Sequence, residues 1–176
     1  MKKFIKEWLP YIIIVITVVL IRTYIITPVI VRGASMDETL HDKEVLLLSK
    51  ITYKLDTIKR YDIVVIKDKD DDYIIKRVIG LPGDNIEYKD NILYINGKKS
   101  KKTFTKDITE DFTLEDICEI NDDNCKKEIP KGKYLVLGDN RDVSADSRTK
   151  GLIDRNQITG KTVFRLWPLT RISIVK

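Results

Sequence analysis

Tyr73-Ile74-Ile75-Lys76-Arg77-Val78-Ile79 is the stretch whose reading decides the fold. Its β-branched and aromatic side chains predict a strand, and Gly80-Leu81-Pro82-Gly83 stops it. A strand alternates faces, so Ile74, Lys76 and Val78 share one face while Tyr73, Ile75, Arg77 and Ile79 share the other. The same kind of segment recurs on both sides. Upstream, Val29-Ile30-Val31 leads into Gly33, and Glu44–Leu48 and Asp62–Ile66 read as short strands buried on both faces. Thr52–Arg60 is a polar connection and Asp68–Asp72 a charged turn. Downstream, Ile86–Tyr88 and Ile92–Ile95 flank Lys89-Asp90-Asn91 as a hairpin, with Asn96-Gly97 following. Tyr134–Leu137, Thr162–Leu166 and Arg171–Val175 complete the set. The expected fold class is mainly β: an antiparallel sheet or barrel-like body of many short strands.

Residues 97–131 interrupt this pattern. They are rich in Lys, Asp, Glu and Thr, and read as a small exposed insertion, a cap rather than core. Both cysteines, Cys118 and Cys125, lie in it. They form either a local disulfide, if the domain sits outside the cytoplasm, or two free thiols. No CxxC occurs and the single histidine, His41, is remote, so no metal site and no cofactor is expected. The chain has 176 residues and a formal net charge of +5, with cations and anions interleaved. That distribution excludes a nucleic-acid stripe and suits a protein beside an anionic membrane.

The N-terminus carries Lys2, Lys3 and Lys6, then an apolar run from Trp8 to Ile26 interrupted by Arg22. A membrane helix needs about 20 residues. Trp8 and Tyr24 sit as interface aromatics, Arg22 snorkels outward, and Pro10 falls in the first turn. A cleaved signal peptide is the competing reading, with Gly33-Ala34-Ser35 as its small-x-small site. The anchor is preferred because residues 33–36 carry chemistry. The organisation is then a basic cytoplasmic tail over 1–7, a transmembrane helix over 8–27, and one extracytoplasmic domain over 28–176. After the anchor, roughly 150 residues remain, enough for one domain with a core.

Three segments carry candidate chemistry. Lys76 has aliphatic neighbours two residues away on its own face. Burial disfavours the ammonium form, and a fall of about 2.4 pH units, costing roughly 3 kcal/mol, would leave the amine half neutral near pH 8. A neutral amine can deprotonate a serine hydroxyl. Ser35 lies in Arg32-Gly33-Ala34-Ser35-Met36-Asp37-Glu38-Thr39-Leu40, between a strand and a polar turn. The third segment is the dense polar loop Gly138-Asp139-Asn140-Arg141-Asp142-Val143-Ser144-Ala145-Asp146-Ser147-Arg148. Its arginines and its lack of an acidic ladder argue against calcium.

Gly33–Met36 just after an anchor, Lys76-Arg77-Val78-Ile79-Gly80-Leu81-Pro82-Gly83-Asp84, and the 138–148 loop together resemble bacterial type I signal peptidases. Gly160–Arg165 and Trp167-Pro168 extend the likeness; only 97–131 lacks a clear match. The resemblance implies a membrane-bound serine endopeptidase that removes N-terminal signal peptides after small-x-small sites. Ser35 matches the nucleophile, Lys76 the general base, and Ser144 the hydroxyl orienting the amine. Asp139, Asp146 and Arg148 match groups holding the loop, Arg77 follows the base, and Met36 follows the nucleophile. The Ser35 N–H would be one oxyanion donor. Some relatives carry a second, side-chain donor where this chain has Gly33, so its second donor must be backbone or water. Implied partners are exported preproteins, bound as an added strand, and the lipid bilayer, with the enzyme a monomer near the export channel of a bacterial cell membrane.

Glu38 departs from the pattern, which has Pro there. A carboxylate near Lys76 would stabilise the ammonium; Glu38 is expected instead to face solvent or a cation such as Arg32 or Lys43. An inactive, membrane-tethered preprotein-binding module is the alternative that Glu38 keeps open. A self-cleaving repressor would need a DNA-binding domain in place of the anchor, and a sortase would need a matching Cys and His.

Overall fold

The structure is a computed structural model. It describes residues 2–50, 58–68, 72–120, 125 and 127–175, with side chains of 2–6 and 24 excepted. Most of the Thr52–Arg60 connection, residues 69–71 of the charged turn and the lysine side chains of the basic tail lie outside the described residues.

The body is antiparallel β. One sheet runs β1 (Ile26–Ile30), β2 (Val45–Ser49), β11 (Ile158–Trp167), β3 (Ile63–Lys67), β4 (Tyr73–Gly80), β9 (Lys133–Leu137) and β10 (Ile153–Asp154), with β12 (Ser173–Ile174) pairing β11. A second sheet runs β7 (Lys98–Lys99), β6 (Ile92–Ile95), β5 (Ile86–Lys89) and β8 (Phe112–Thr113). The β5–β6 hairpin turns through Asp90 and Asn91, both at positive φ, as its sequence predicts. β11 begins earlier than the Thr162–Leu166 apolar run. Gly160 permits this, since a Cβ there would meet Leu48 at 2.7 Å.

Strand β3 is buried on both faces as expected. Ile63 and Val65 join a cluster with Met36, Leu40, Leu46 and Ile75, whereas Val64 and Ile66 join one with Val78, Val136 and Ile158. β2 differs: Leu46 and Leu48 are buried while Val45 and Leu47 are only half-buried. It lies one strand in from the edge, with only β1 beyond it.

The 97–131 stretch is not simply an exposed excursion. Leu114, Ile117, Cys118, Cys125 and Ile129 are buried in one cluster with Ile79, Ile86 and Leu135. Leu114, Ile117 and Cys118 all lie on α2 (Leu114–Glu119), whose capping box joins Thr113 and Asp116. Its few apolar residues are spaced to face the core together, and an average over composition hides that. Cys118 and Cys125 form a disulfide, which closes the alternative left open above.

Helix α1 spans Lys2–Tyr24 and contains Pro10 in its interior rather than in its first turn. Nothing between Lys2 and Trp8 breaks a helix, so it starts before the apolar run. It stops ahead of residue 27 because Ile26 already pairs with Ser49 of β2. Among the described residues no helix is long and apolar enough to cross a membrane.

Candidate active site

The site begins where β1 ends. Gly33 has φ +84°, a conformation that disfavours side chains, and its N–H donates to Asp42 Oδ1 at 3.0 Å. A turn follows in which Asp37 N–H donates to Ala34 O at 3.0 Å, and Thr39 and Leu40 N–H both donate to Met36 O, at 2.8 and 2.7 Å. Met36 and Leu40 are fully buried, pinning the turn to the core. Ser35 lies half-buried beside that anchor, and its N–H has no acceptor among the described residues.

Lys76 is on β4, opposite Val64 of β3, and only 3% exposed. Its face carries Ile74 and Val78, as strand alternation predicts. Burial lowers its pKa from 10.5 to about 8. Asp146 and Asp139 pull it up, and Lys150 and Arg148 push it down. All four belong to the 139–150 segment, so that segment flanks the amine. Among the described residues Lys76 has no ion-pair partner.

That segment leaves β9 at Gly138. Gly138 N–H donates to Asp146 Oδ2 at 2.9 Å, and Val136 N–H donates to Ser147 Oγ at 2.9 Å. Asp146 also caps the short helix α3 (Ser147–Lys150) and pairs with Arg148 through two bonds, at 2.9 and 3.0 Å. Arg148 reaches on to Arg141 O at 2.7 Å. Asn140 N–H donates to Ser35 O at 3.1 Å, tying the loop to the turn. A Cβ on Gly138 would lie 2.5 Å from Ser35 O and 2.6 Å from Ser144 Cβ. Glycine there lets the Ser35 backbone and Ser144 approach one another. The Ser144 hydroxyl is buried and has no hydrogen-bond partner among the described residues. A buried unpaired hydroxyl is uncommon enough to call for a reason.

Arg77 and Asp139 form a buried pair, with Nε–Oδ1 at 2.9 Å and Nη2–Oδ2 at 2.6 Å. Arg77 also donates to Tyr61 O at 3.0 Å and Thr39 Oγ1 at 3.2 Å, and Thr39 Oγ1 donates to Asp139 Oδ2 at 2.5 Å. Such a pair stabilises little against its desolvation cost, and its two-bond geometry fixes position.

Glu38 Oε2 lies 3.4 Å from Lys106 Nζ. It turns toward a cation as expected, although that cation comes from the 97–131 stretch and is neither Arg32 nor Lys43. Glu38 is not among the charges acting on Lys76.

The structure therefore gathers Ser35, Gly33, Met36, Ser144, Arg77 and Asp139 around one turn, with Lys76, Asp146 and Arg148 at the loop beside it. Sequence reasoning assigned no role to Thr39, which links turn and loop, or to Arg141, Asp107 and Thr109. Buried Arg141 donates to Gly138 O at 2.8 Å, Tyr88 Oη at 2.9 Å and Thr109 Oγ1 at 2.7 Å. It also missed Glu44, which meets Arg165 at 3.0 Å and Arg171 at 2.7 Å, while Arg165 reaches Thr39 O at 2.7 Å. The one available signal was a glutamate opening an apolar strand.

A family model described as signal peptidase, peptidase S26, matches residues 4–167. The chain is 43% identical over 181 residues to signal peptidase IB of Staphylococcus aureus (strain COL), covering 97% of this chain and 93% of that protein. It is 39% identical over 178 residues to signal peptidase I of Bacillus caldolyticus, covering 96% and 93%. A crystal structure of a signal peptidase I from Enterococcus faecalis V583 superposes with a TM-score of 0.50 at 32% identity, covering 60% of this chain and 97% of that one.

Proposed function

The chain belongs to the signal peptidase family, peptidase S26, and is a hydrolase; on that premise we propose that it removes signal peptides with a Ser35–Lys76 dyad while tethered to a bacterial membrane by α1. The observation that carries the dyad is Lys76: a lysine buried on an apolar strand face, with its pKa lowered to about 8. Neutral, the amine accepts the Ser35 hydroxyl proton as Oγ attacks the scissile carbonyl carbon. The Ser35 N–H, without an acceptor among the described residues, stabilises the oxyanion. The lysine then gives its proton to the leaving amine, and water, deprotonated by the same amine, hydrolyses the ester. Ser144, a buried hydroxyl with no hydrogen-bond partner among the described residues, is the group that orients the amine. Arg77, Asp139, Asp146 and Arg148 hold the loop that carries it.

An open strand edge supports binding of the preprotein as an added strand. β4 pairs with β9 only from Arg77 onward, so Tyr73–Lys76 have no partner on that side among the described residues. β1, which feeds the Ser35 turn, is itself an edge strand. A chain laid along these edges brings its scissile bond to Ser35, and small-x-small selectivity is the expected preference.

The tether is supported by the exposure of α1 from Trp8 to Ile21 on all sides, with no protein surface to cover it. No helix among the described residues is by itself long and apolar enough to span, so the tether rests on the whole apolar run of the sequence from Trp8 to Ile26, close to the about 20 residues a span needs. Lys2, Lys3 and Lys6 favour a cytoplasmic N-terminus. The cysteine pair fits a body outside the cytoplasm.

The test is preprotein processing by membranes carrying the wild type, Ser35→Ala or Lys76→Ala, followed across pH. Processing by the wild type alone is expected, and equal processing by all three would sink the dyad. Release of the protein by alkaline carbonate would sink the tether. The binding-module alternative rests on Glu38, which lies beside Lys106 and not among the charges acting on Lys76.

A further inference from the structure

We propose that Phe104–Thr109, within the 97–131 stretch, is a positioning strap that holds the 138–148 loop against the Ser35 turn. The proposal rests on the Ser35–Lys76 reading above. The strap has no regular secondary structure, yet its side chains alternate like a strand's. Thr105, Asp107 and Thr109 face inward, whereas Lys106, Ile108 and Glu110 are exposed. Its C-terminal end is fixed independently of the site, where Thr109 N–H donates to Asn91 Oδ1 of the β5–β6 turn at 2.9 Å, and a bond within the strap, Asp107 N–H to Thr105 Oγ1 at 3.0 Å, shapes its middle.

From that footing it grips both arginines that organise the loop. The Phe104 ring lies 4.0 Å from the Arg77 guanidinium carbon and 4.9 Å from the Tyr61 ring. It seals the Arg77–Asp139 pair and favours the cation over its face. Asp107 Oδ2 accepts from Arg141 N–H at 2.7 Å, and Thr109 Oγ1 accepts from Arg141 Nη1 at 2.7 Å. Arg141 in turn donates to Gly138 O, and its neighbour Asn140 donates to Ser35 O. Lys106 meets Glu38 on the far side of the turn, at 3.4 Å. This last contact is exposed and contributes little. The Asp107–Arg141 bond is the decisive one. It is charge-assisted, goes to backbone rather than to a movable side chain, and has one donor that no other acceptor takes.

The consequence is kinetic. A loosened loop no longer presents Ser144, and small misplacements of reacting groups are costly. It also admits water to Lys76, whose surroundings include Asp146, Lys150, Arg148 and Asp139. Desolvation is the largest of the effects on Lys76, so its loss raises the pKa of the base. Substrate binding along β1 and Tyr73–Lys76 is untouched.

The experiment measures preprotein processing by the full-length protein in membranes, with thermal unfolding of each variant. Asp107→Ala is expected to lower kcat about 10- to 100-fold, leave KM close to the wild type, and move the acid limb of the pH profile upward. Asp107→Asn, which keeps an acceptor oxygen, restores kcat and the acid limb toward the wild type. The proposal is overturned if Asp107→Ala has a wild-type kcat and pH profile, if its loss is in KM alone, or if Asp107→Asn is equally slow. Should Asp107→Ala fail to fold, Phe104→Leu against Phe104→Tyr decides by the same readouts, the ring being kept only in the second. An inactive wild type would instead refute the dyad, which separates the two failures.

Discussion

Replacing Lys76 by methionine should make the protein more stable and inactive, with a pH dependence fixed in advance. Methionine is similar in length and apolar, so the strand face stays filled. Burial holds the Lys76 pKa at about 8 against 10.5 in its absence. That displacement is worth about 3 kcal/mol at about 1.4 kcal/mol per pH unit. The sign follows from proton counts. Below pH 8 the folded protein must bury an ammonium ion, so the full cost is present. Between about 8 and 10.5 the unfolded chain binds the proton and the folded chain does not, and the wild type gains stability as pH rises. Lys76→Met should therefore exceed the wild type by up to about 3 kcal/mol at pH 7, with the gap closing above pH 8. Urea unfolding of both detergent-solubilised proteins at pH 7 and pH 10 measures it. The other titrating groups are common to the two and largely cancel in the difference. A gap that does not change with pH, or a wild type that is the more stable at pH 7, would refute the reasoning. The same displacement sets the rate: kcat/KM should rise about tenfold per pH unit up to about pH 8 and then level off.

Gly138→Ala should cost activity more than stability. The new Cβ must displace Ser35 O or the Ser144 side chain, for a loss of about 100-fold in kcat, whereas Gly160→Ala, which crowds Leu48 at 2.7 Å and touches neither Ser35 nor Ser144, should lower the unfolding midpoint and spare kcat. Equal kcat losses in the two would refute this. Glu38→Pro should leave the pH optimum unchanged, because the carboxylate faces Lys106, and raise stability by about 0.4–1 kcal/mol by stiffening the unfolded chain. A pH optimum well below the wild type's would show that the carboxylate acts on Lys76 after all.

What the sequence made legible was local. Alternation along Tyr73–Ile79 was enough to place Lys76 on an apolar face and Arg77 on the other, because a strand's periodicity leaves no freedom. The β3 segment declared its two-sided burial in the same way. The Cys118–Cys125 pairing was not decidable, since seven residues of separation suit a bridge or two thiols equally. The buried role of 97–131 was hidden because Leu114, Ile117 and Ile129 are few among charged neighbours. Least legible were the contacts between distant segments. Nothing local tells that Thr39 meets Asp139, that Glu44 meets Arg165 and Arg171, or that Asp107 holds Arg141. Each involves residues unremarkable in their own windows.

Those distant contacts bear on how the turn can form with Glu38 where the resemblance has proline. Proline would stiffen the turn by fixing φ at one residue. In this chain the turn is already determined from several directions. Gly33 N–H is held by Asp42, Met36 O receives two N–H groups, and the Met36 and Leu40 side chains are buried. Thr39 is held through its hydroxyl by Arg77 and Asp139 and through its carbonyl by Arg165, and Ser35 O is held by Asn140. Fixing one further dihedral adds little to a segment so constrained. The position is also free to carry a charge, because Glu38 faces Lys106 and is not among the charges acting on Lys76. The freedom at residue 38 is therefore a consequence of the network at residue 39. Weakening that network, for instance at Thr39, should make the absence of proline matter.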